Sequence, residues 1–217
     1  MKKNAILSGD IADRIAQQAL SRRGASYAAE VRRLLDAALQ VMSACGTATR
    51  PRVTDIVTAA GLSNDAFYRY FPSKEALVTA LLEDGADRLG SYLAHQMAKE
   101  PAPEEQVRRW VEGVLTQTDE KIATTTLAVL WNAGSSGEGL AAGRHPASAP
   151  LATLLHGPFT ALGSTTPALD ASLAAHAVLG RLSDHLWQRT TPTPAEVERM
   201  VTFCLAATTV QHQPGTN

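Results

Sequence analysis

Apolar positions recur along most of this chain at steps of three and four, and no stretch alternates strictly enough to suggest a strand. Val31, Leu34, Leu35, Ala38, Leu39, Met42 and Cys45 make one such stripe, the mark of an amphipathic helix, and Gly46 stops it. A shorter stripe of Val53, Ile56, Val57 and Ala60 predicts a helix from about Arg52 to Ala60. Pro51 suits its first turn, where a missing N–H is no loss. Gly61 ends that helix and Ser63 is a good N-cap for the next. Pro72 forces a stop near Tyr70, because a residue before proline is pushed out of helical geometry. Ser73 then caps a long helix carrying Leu77, Val78, Leu81, Leu82, Leu89, Leu93 and Met97.

Beyond Gly85 the same periodicity predicts helices at about 75–98, 103–118, 120–133, 148–162, 169–189 and 194–209, with breaks at "PAP" (101–103) and "TTPTP" (190–194). The Gly/Ala/Ser-rich stretch 134–150 is too polar for a long helix and reads as a loop. The fold class is all-α. Its expected parts are an N-terminal extension (1–26), a three-helix domain (27–85) and a second helical domain (86–217).

The segment "GLSNDAFYRYF" gathers aromatic, basic and acidic residues that one helical stripe does not explain. Two short helices joined by a Gly-containing turn form a helix-turn-helix, here over about 51–70, whose second helix lies in the major groove of DNA. Leu62 and Phe67 then point into a small core, while Ser63, Asn64, Tyr68 and Arg69 point outward. Phe67 and Phe71 fasten the helix, and Tyr68 and Tyr70 offer rigid hydroxyls to the phosphate backbone.

Composition narrows the picture. With 45% hydrophobic and 19% charged residues the chain can bury a core. No apolar run is long enough to span a bilayer, and Asp10 and Asp13 interrupt any secretory pattern after the opening lysines. Cys45 and Cys204 stand alone, which favours a reducing cytoplasm over a disulfide framework, and a helix-turn-helix on DNA makes the expected location nucleoid-associated. The net charge of −1 hides an asymmetry: residues 1–83 hold 11 Lys and Arg against 8 Asp and Glu, whereas 84–217 hold 9 against 13. A mildly basic first third suits a nucleic-acid reader. Lys2, Lys3, Arg14, Arg22 and Arg23 precede the first core helix and could form an arm on DNA, although such extensions are more often partly ordered and solvated.

Residues 28–85 resemble the N-terminal domain of the TetR family of bacterial transcription regulators, through "LLDAALQVM", "VTDIVTAAGLS" and "FYRYFPSKEAL" at the expected spacing. The resemblance implies that Tyr68 and Lys74 touch phosphate and that Ser63, Asn64, Asp65 and Tyr70 reach bases or backbone, as do Arg52 and Thr54 at the start of the second helix. Asp65 departs from the family's small residue. A carboxylate there repels phosphates, yet suits the positive helix end and can accept from cytosine, so its role stays open. The resemblance also implies a second domain in which a small molecule alters the spacing of two DNA-reading heads.

Six histidines make no HxxxH or HExxH pair, and "GSSGEG" is not followed by the Lys-Ser/Thr of a phosphate loop. We therefore expect no enzyme, no catalytic residue, no metal site and no cofactor. His95, Trp110, Leu127, Trp131 and Phe159 come from different predicted helices and are candidates to line a pocket for an apolar or amphipathic effector. One two-turn helix reads too few bases for a genome, so a homodimer on a palindromic double-stranded operator is expected. Its interface is expected on the last two helices, at Leu173, Ala177, Gly180, Leu182 and Trp187 on the first and Val197, Val201, Phe203, Leu205 and Ala206 on the second. The expected function is a ligand-released repressor with no membrane partner. The alternatives are a DNA-binding protein of this fold acting through a protein partner, and a helical enzyme.

Overall fold

A computed structural model of the chain describes residues 7–133 and 148–208; the readings placed on Lys2 and Lys3 and on most of the 134–150 loop fall outside them. Among the described residues every regular element is a helix. The order is α1 (Leu7–Cys45), α2 (Val53–Ala60), α3 (Asn64–Tyr70), α4 (Lys74–Met97) and α5 (Pro103–Leu115). A single 3₁₀ turn (Thr116–Thr118) then leads into α6 (Glu120–Ala133), α7 (Ser148–Thr153), α8 (His156–Ala161), α9 (Pro167–Gln188) and α10 (Pro194–Ala206).

Three boundaries differ from the periodicity. The first helix begins at Leu7, so most of the expected extension is continuous with the core helix. The span expected as one helix over 148–162 is two short ones, because a proline is tolerated in a first turn but not in a helix interior. Ending at Thr153 and restarting at His156 puts Pro158 in that first turn. Helix α2 starts at Val53 with Arg52 as N-cap, which leaves Pro51 outside the first turn.

Two apolar cores result. One joins Leu34, Ala38 and Met42 of α1 to Ile56, Phe67, Leu77 and Val78, and makes the head. The other packs Leu93, Trp110, Leu151, Phe159, Val178 and Val201 together and makes the body. Helix α4 belongs to both, with Leu77 and Leu81 in the head and Leu93 and Met97 in the body. Helix α6 is shared too: Ala128 and Val129 close the head core while Leu127 faces the body core. The head thus rests on an element nearly fifty residues further along the chain.

Where α4 crosses α5, Gly113 lets the two backbones approach. A Cβ there would lie 2.4 Å from Cδ2 of Leu93, which is fully buried. The ion pair between Arg108 and Glu198 ties α5 to α10. Cys204 is buried, and burial pushes its thiol up to about 12, so it is no thiolate at neutral pH.

Candidate nucleic-acid interface

The turn between α2 and α3 is built from three residues. Gly61 takes the left-handed conformation (φ 63°), which a side chain would strain, and the Leu62 N–H closes back on the Val57 carbonyl at 2.9 Å. The Ser63 hydroxyl accepts from the Ala66 N–H at 3.2 Å and so satisfies one of the free donors at the start of α3. Such a cap is worth about 1 kcal/mol.

Helix α3 is seven residues long, so its two faces are sharply divided. Ala66 and Phe67 are buried, and Phe67 meets the rings of Phe71 at 5.8 Å and Tyr68 at 5.2 Å. Asn64, Asp65, Tyr68 and Arg69 are exposed, Tyr68 at 57%. Asp65 lies in the first turn, where the helix dipole favours a carboxylate. The start of α2 adds exposed Arg52 and Thr54; the backbone N–H of Arg52 donates to Asp55 Oδ2 at 2.7 Å. Lys74, half-buried, donates from Nζ to the Pro51 carbonyl at 3.3 Å, which draws the start of α4 toward the entry of α2.

Tyr70 is placed differently from an outward-pointing contact. It is half-buried and its hydroxyl donates to Glu30 Oε2 of α1 at 2.8 Å. Partial burial, then this bond to Glu30, hold its phenol above the ordinary tyrosine value. The Arg69 guanidinium lies 3.7 Å from the same carboxylate and 5.9 Å from the Tyr70 ring, and the Tyr27 ring meets Tyr70 edge-on at 6.1 Å. Glu30 therefore fixes the C-terminal turn of α3, a part that the sequence reading missed. The pair is 40 residues apart, and no local pattern announces it.

The remaining sequence-derived residues fall in several environments. Trp110 and Phe159 are fully buried in the body core, where the Trp110 indole donates to the Leu151 carbonyl at 3.0 Å. Leu127 is buried, and His95 is exposed on the last turn of α4. Trp131 is half-buried at the end of α6, edge-on to Trp187 at 6.2 Å and under the Arg50 guanidinium at 5.1 Å. On α9 and α10, Leu173, Gly180, Trp187, Phe203 and Ala206 are exposed, while Ala177, Val197 and Leu205 are half-buried. Leu182 and Val201 instead face inward, at 7% and 2% exposure, and belong to the body core rather than to an outer surface. Among the described residues no helix is long and apolar enough to cross a membrane, and no three His, Cys, Asp or Glu side chains gather as a metal site.

Comparison with known proteins bears on the head most directly. Residues 34–81 match the family described as bacterial regulatory proteins, tetR family. A 61-residue segment is 38% identical to the HTH-type transcriptional regulator EthR of Mycolicibacterium smegmatis; it spans 28% of this chain and 28% of that protein. Over the longer span the likeness is one of fold. A tetR-family regulator from Mesorhizobium loti superposes with a TM-score of 0.63 at 18% identity, over 84% of this chain and 96% of that one. RolR, solved with resorcinol, superposes at 0.61 and 16% identity, over 89% and 98%.

Proposed function

Because the chain carries the N-terminal domain of the tetR family of bacterial regulatory proteins, we propose that it is a homodimeric transcription regulator that represses from a palindromic operator and is released by a small molecule. The observation that carries this reading is the division of α3. Its aromatic anchor Phe67 is fully buried, while Asn64, Asp65, Tyr68 and Arg69 are left in solvent on a Ser-capped helix. Such a helix reads base edges from its N-terminal turn and phosphates from its flanks. Asn64 and Ser63 take the base-proximal role, and Tyr68, Lys74 and Arg52 the backbone role. Tyr70 and Arg69 are presented through Glu30.

Dimerisation follows from the exposed apolar residues of the last two helices. Leu169, Leu173 and Phe203 are each more than half exposed, an expense in water that a second copy relieves. Two heads then read two half-sites about one helical turn or more apart. The effector is an apolar or amphipathic small molecule, in keeping with RolR's structure with resorcinol. It acts by binding one of two head spacings better than the other.

Footprinting of the DNA flanking the gene with purified protein tests the reading. Protection of two symmetric half-sites is the expected result. Protein that binds no flanking DNA more tightly than random duplex at physiological salt would sink it.

A further inference from the structure

A cavity of about 420 Å³ opens where the head meets the body, against the edge of the core that also holds Trp110 and Phe159. Three separate stretches wall it: the turn after α1, the start of α6 with the 3₁₀ turn before it, and the C-terminal end of α9. Its floor is apolar, from Ala123, Leu127 and Leu186. Its rim holds two opposite charges, Arg189 and Glu120. Neither forms an ion pair with the other or with any described residue.

Arg189 is held in an uncommon way. It is the residue that closes α9 and takes the left-handed conformation at φ 55°, the one non-glycine residue described with positive φ. That position ordinarily falls to glycine, and a side chain there is strained. The result is a guanidinium turned back across the junction, where Nη2 donates to the Thr47 hydroxyl at 3.4 Å. A guanidinium is always charged and its fork of donors matches a carboxylate.

We propose that this junction cavity is a binding site for a small zwitterion with an apolar body, of the class of an amino acid with an aliphatic or aromatic side chain. Arg189 takes the carboxylate, Glu120 faces the ammonium, and the side chain lies on Leu127 and Leu186. A dianion is repelled by Glu120 and a plain cation by Arg189, which leaves the zwitterion as the best match. The volume lies within the range of small-molecule sites and holds an amino acid with a few waters. An occupant takes up the donor now spent on Thr47, next to the turn that leads into α2, and so alters how the body holds the head.

The site is tested by calorimetric titration of the full chain with L-leucine and L-phenylalanine, and with two half-ligands, 4-methylpentanoate and isoamylamine. Both amino acids are expected to bind, roughly tenfold or more tighter than either half-ligand, the weight of one charge-assisted hydrogen bond. Arg189→Gly suits the left-handed backbone, so this variant keeps its fold and melts no lower; it loses leucine and 4-methylpentanoate alike. Glu120→Gln brings leucine down toward 4-methylpentanoate and leaves the latter unchanged. Absence of heat or melting shift with any of the four at millimolar concentration overturns the site, as does unaltered leucine binding by Arg189→Gly. No DNA enters these titrations, so their failure is distinct from failure of the proposed regulator, which the footprint reads.

Discussion

Tyr68 on α3 and Phe203 on α10 are exposed almost equally, at 57% and 54%, yet the two surfaces around them differ in kind. Around Tyr68 stand Asn64, Asp65 and Arg69, so the head shows a ring with a hydroxyl among polar groups. The last two helices, α9 and α10, also expose Leu169 and Leu173, each at 58% and without a polar atom on the side chain. A hydroxyl-bearing ring is content in water and ready for a phosphate; a leucine is not. The head's surface therefore suits a partner rich in oxygen, and the body's a partner as apolar as itself. Burial alone does not separate a contact surface from a solvated one, and the chemistry of what is left outside does.

The sharpest break in this comparison comes from exchanging inside for outside. Phe67→Ala removes a fully buried ring and is expected to cost roughly 3–5 kcal/mol, read as a fall in denaturation midpoint with loss of the head's cooperativity. On the body, Leu173→Asp is expected to leave chain stability within about 0.5 kcal/mol, because the residue faces solvent. It should weaken self-association roughly tenfold or more in sedimentation equilibrium. A Leu173→Asp protein that stays dimeric would show that the apolar face is not the interface.

Smaller changes sharpen the head. Ser63→Ala should cost about 1 kcal/mol through the lost cap, visible as faster hydrogen exchange at the start of α3. Lys74→Ala should weaken binding to every duplex by one common factor and flatten the salt dependence by about 0.9 of a slope unit, whereas Asn64→Ala should change the preferred base at one position in a selection experiment. An unchanged salt slope would mean that Lys74 serves only to hold Pro51.

The least effect is expected in the body's polar latch. The Arg181 guanidinium, bonded to Glu196 at 2.5 Å, holds that carboxyl below the ordinary glutamate value, helped by His185 at 3.1 Å. A depressed folded-state value stabilises at neutral pH and is lost as pH falls through it. Glu196 is partly exposed, so the contribution is below about 1 kcal/mol after screening. The stability gap between wild type and Glu196→Gln should close on acidification; a gap independent of pH would remove the charge from the account.

Much of the fold is written locally. Gly61, Ser63, Pro72 and Ser73 punctuate α2, α3 and α4 through caps and forbidden dihedrals that depend on a few neighbours, and those boundaries are readable from the sequence. The break before α8 was equally local, since Pro158 demands a first turn, but an apolar stripe running through it hides the signal. What local pattern does not carry is direction. Val201 lies on an apolar stripe of α10 as Phe203 does, and periodicity cannot say which faces the body core and which faces outward. Nor does it carry pairing. Glu30 reaches Tyr70 across 40 residues, and Arg189 reaches Thr47 across 142, so neither the brace on α3 nor the junction cavity has a sequence signature.

The close crossing at Gly113 has a consequence for how this protein can change over generations. A glycine codon becomes, by any missense change, a codon for a residue with a Cβ, and that atom would stand 2.4 Å from the buried Leu93. Drift at position 113 is therefore coupled to how far the buried Leu93 side chain can shift. The two sites are linked: a side chain at 113 displaces the Leu93 methyl, and a smaller residue at 93 makes room for it by opening a void at a cost of about 2–5 kcal/mol. Among descendants of this sequence, alanine at 113 should appear more often beside a trimmed residue at 93 than beside leucine.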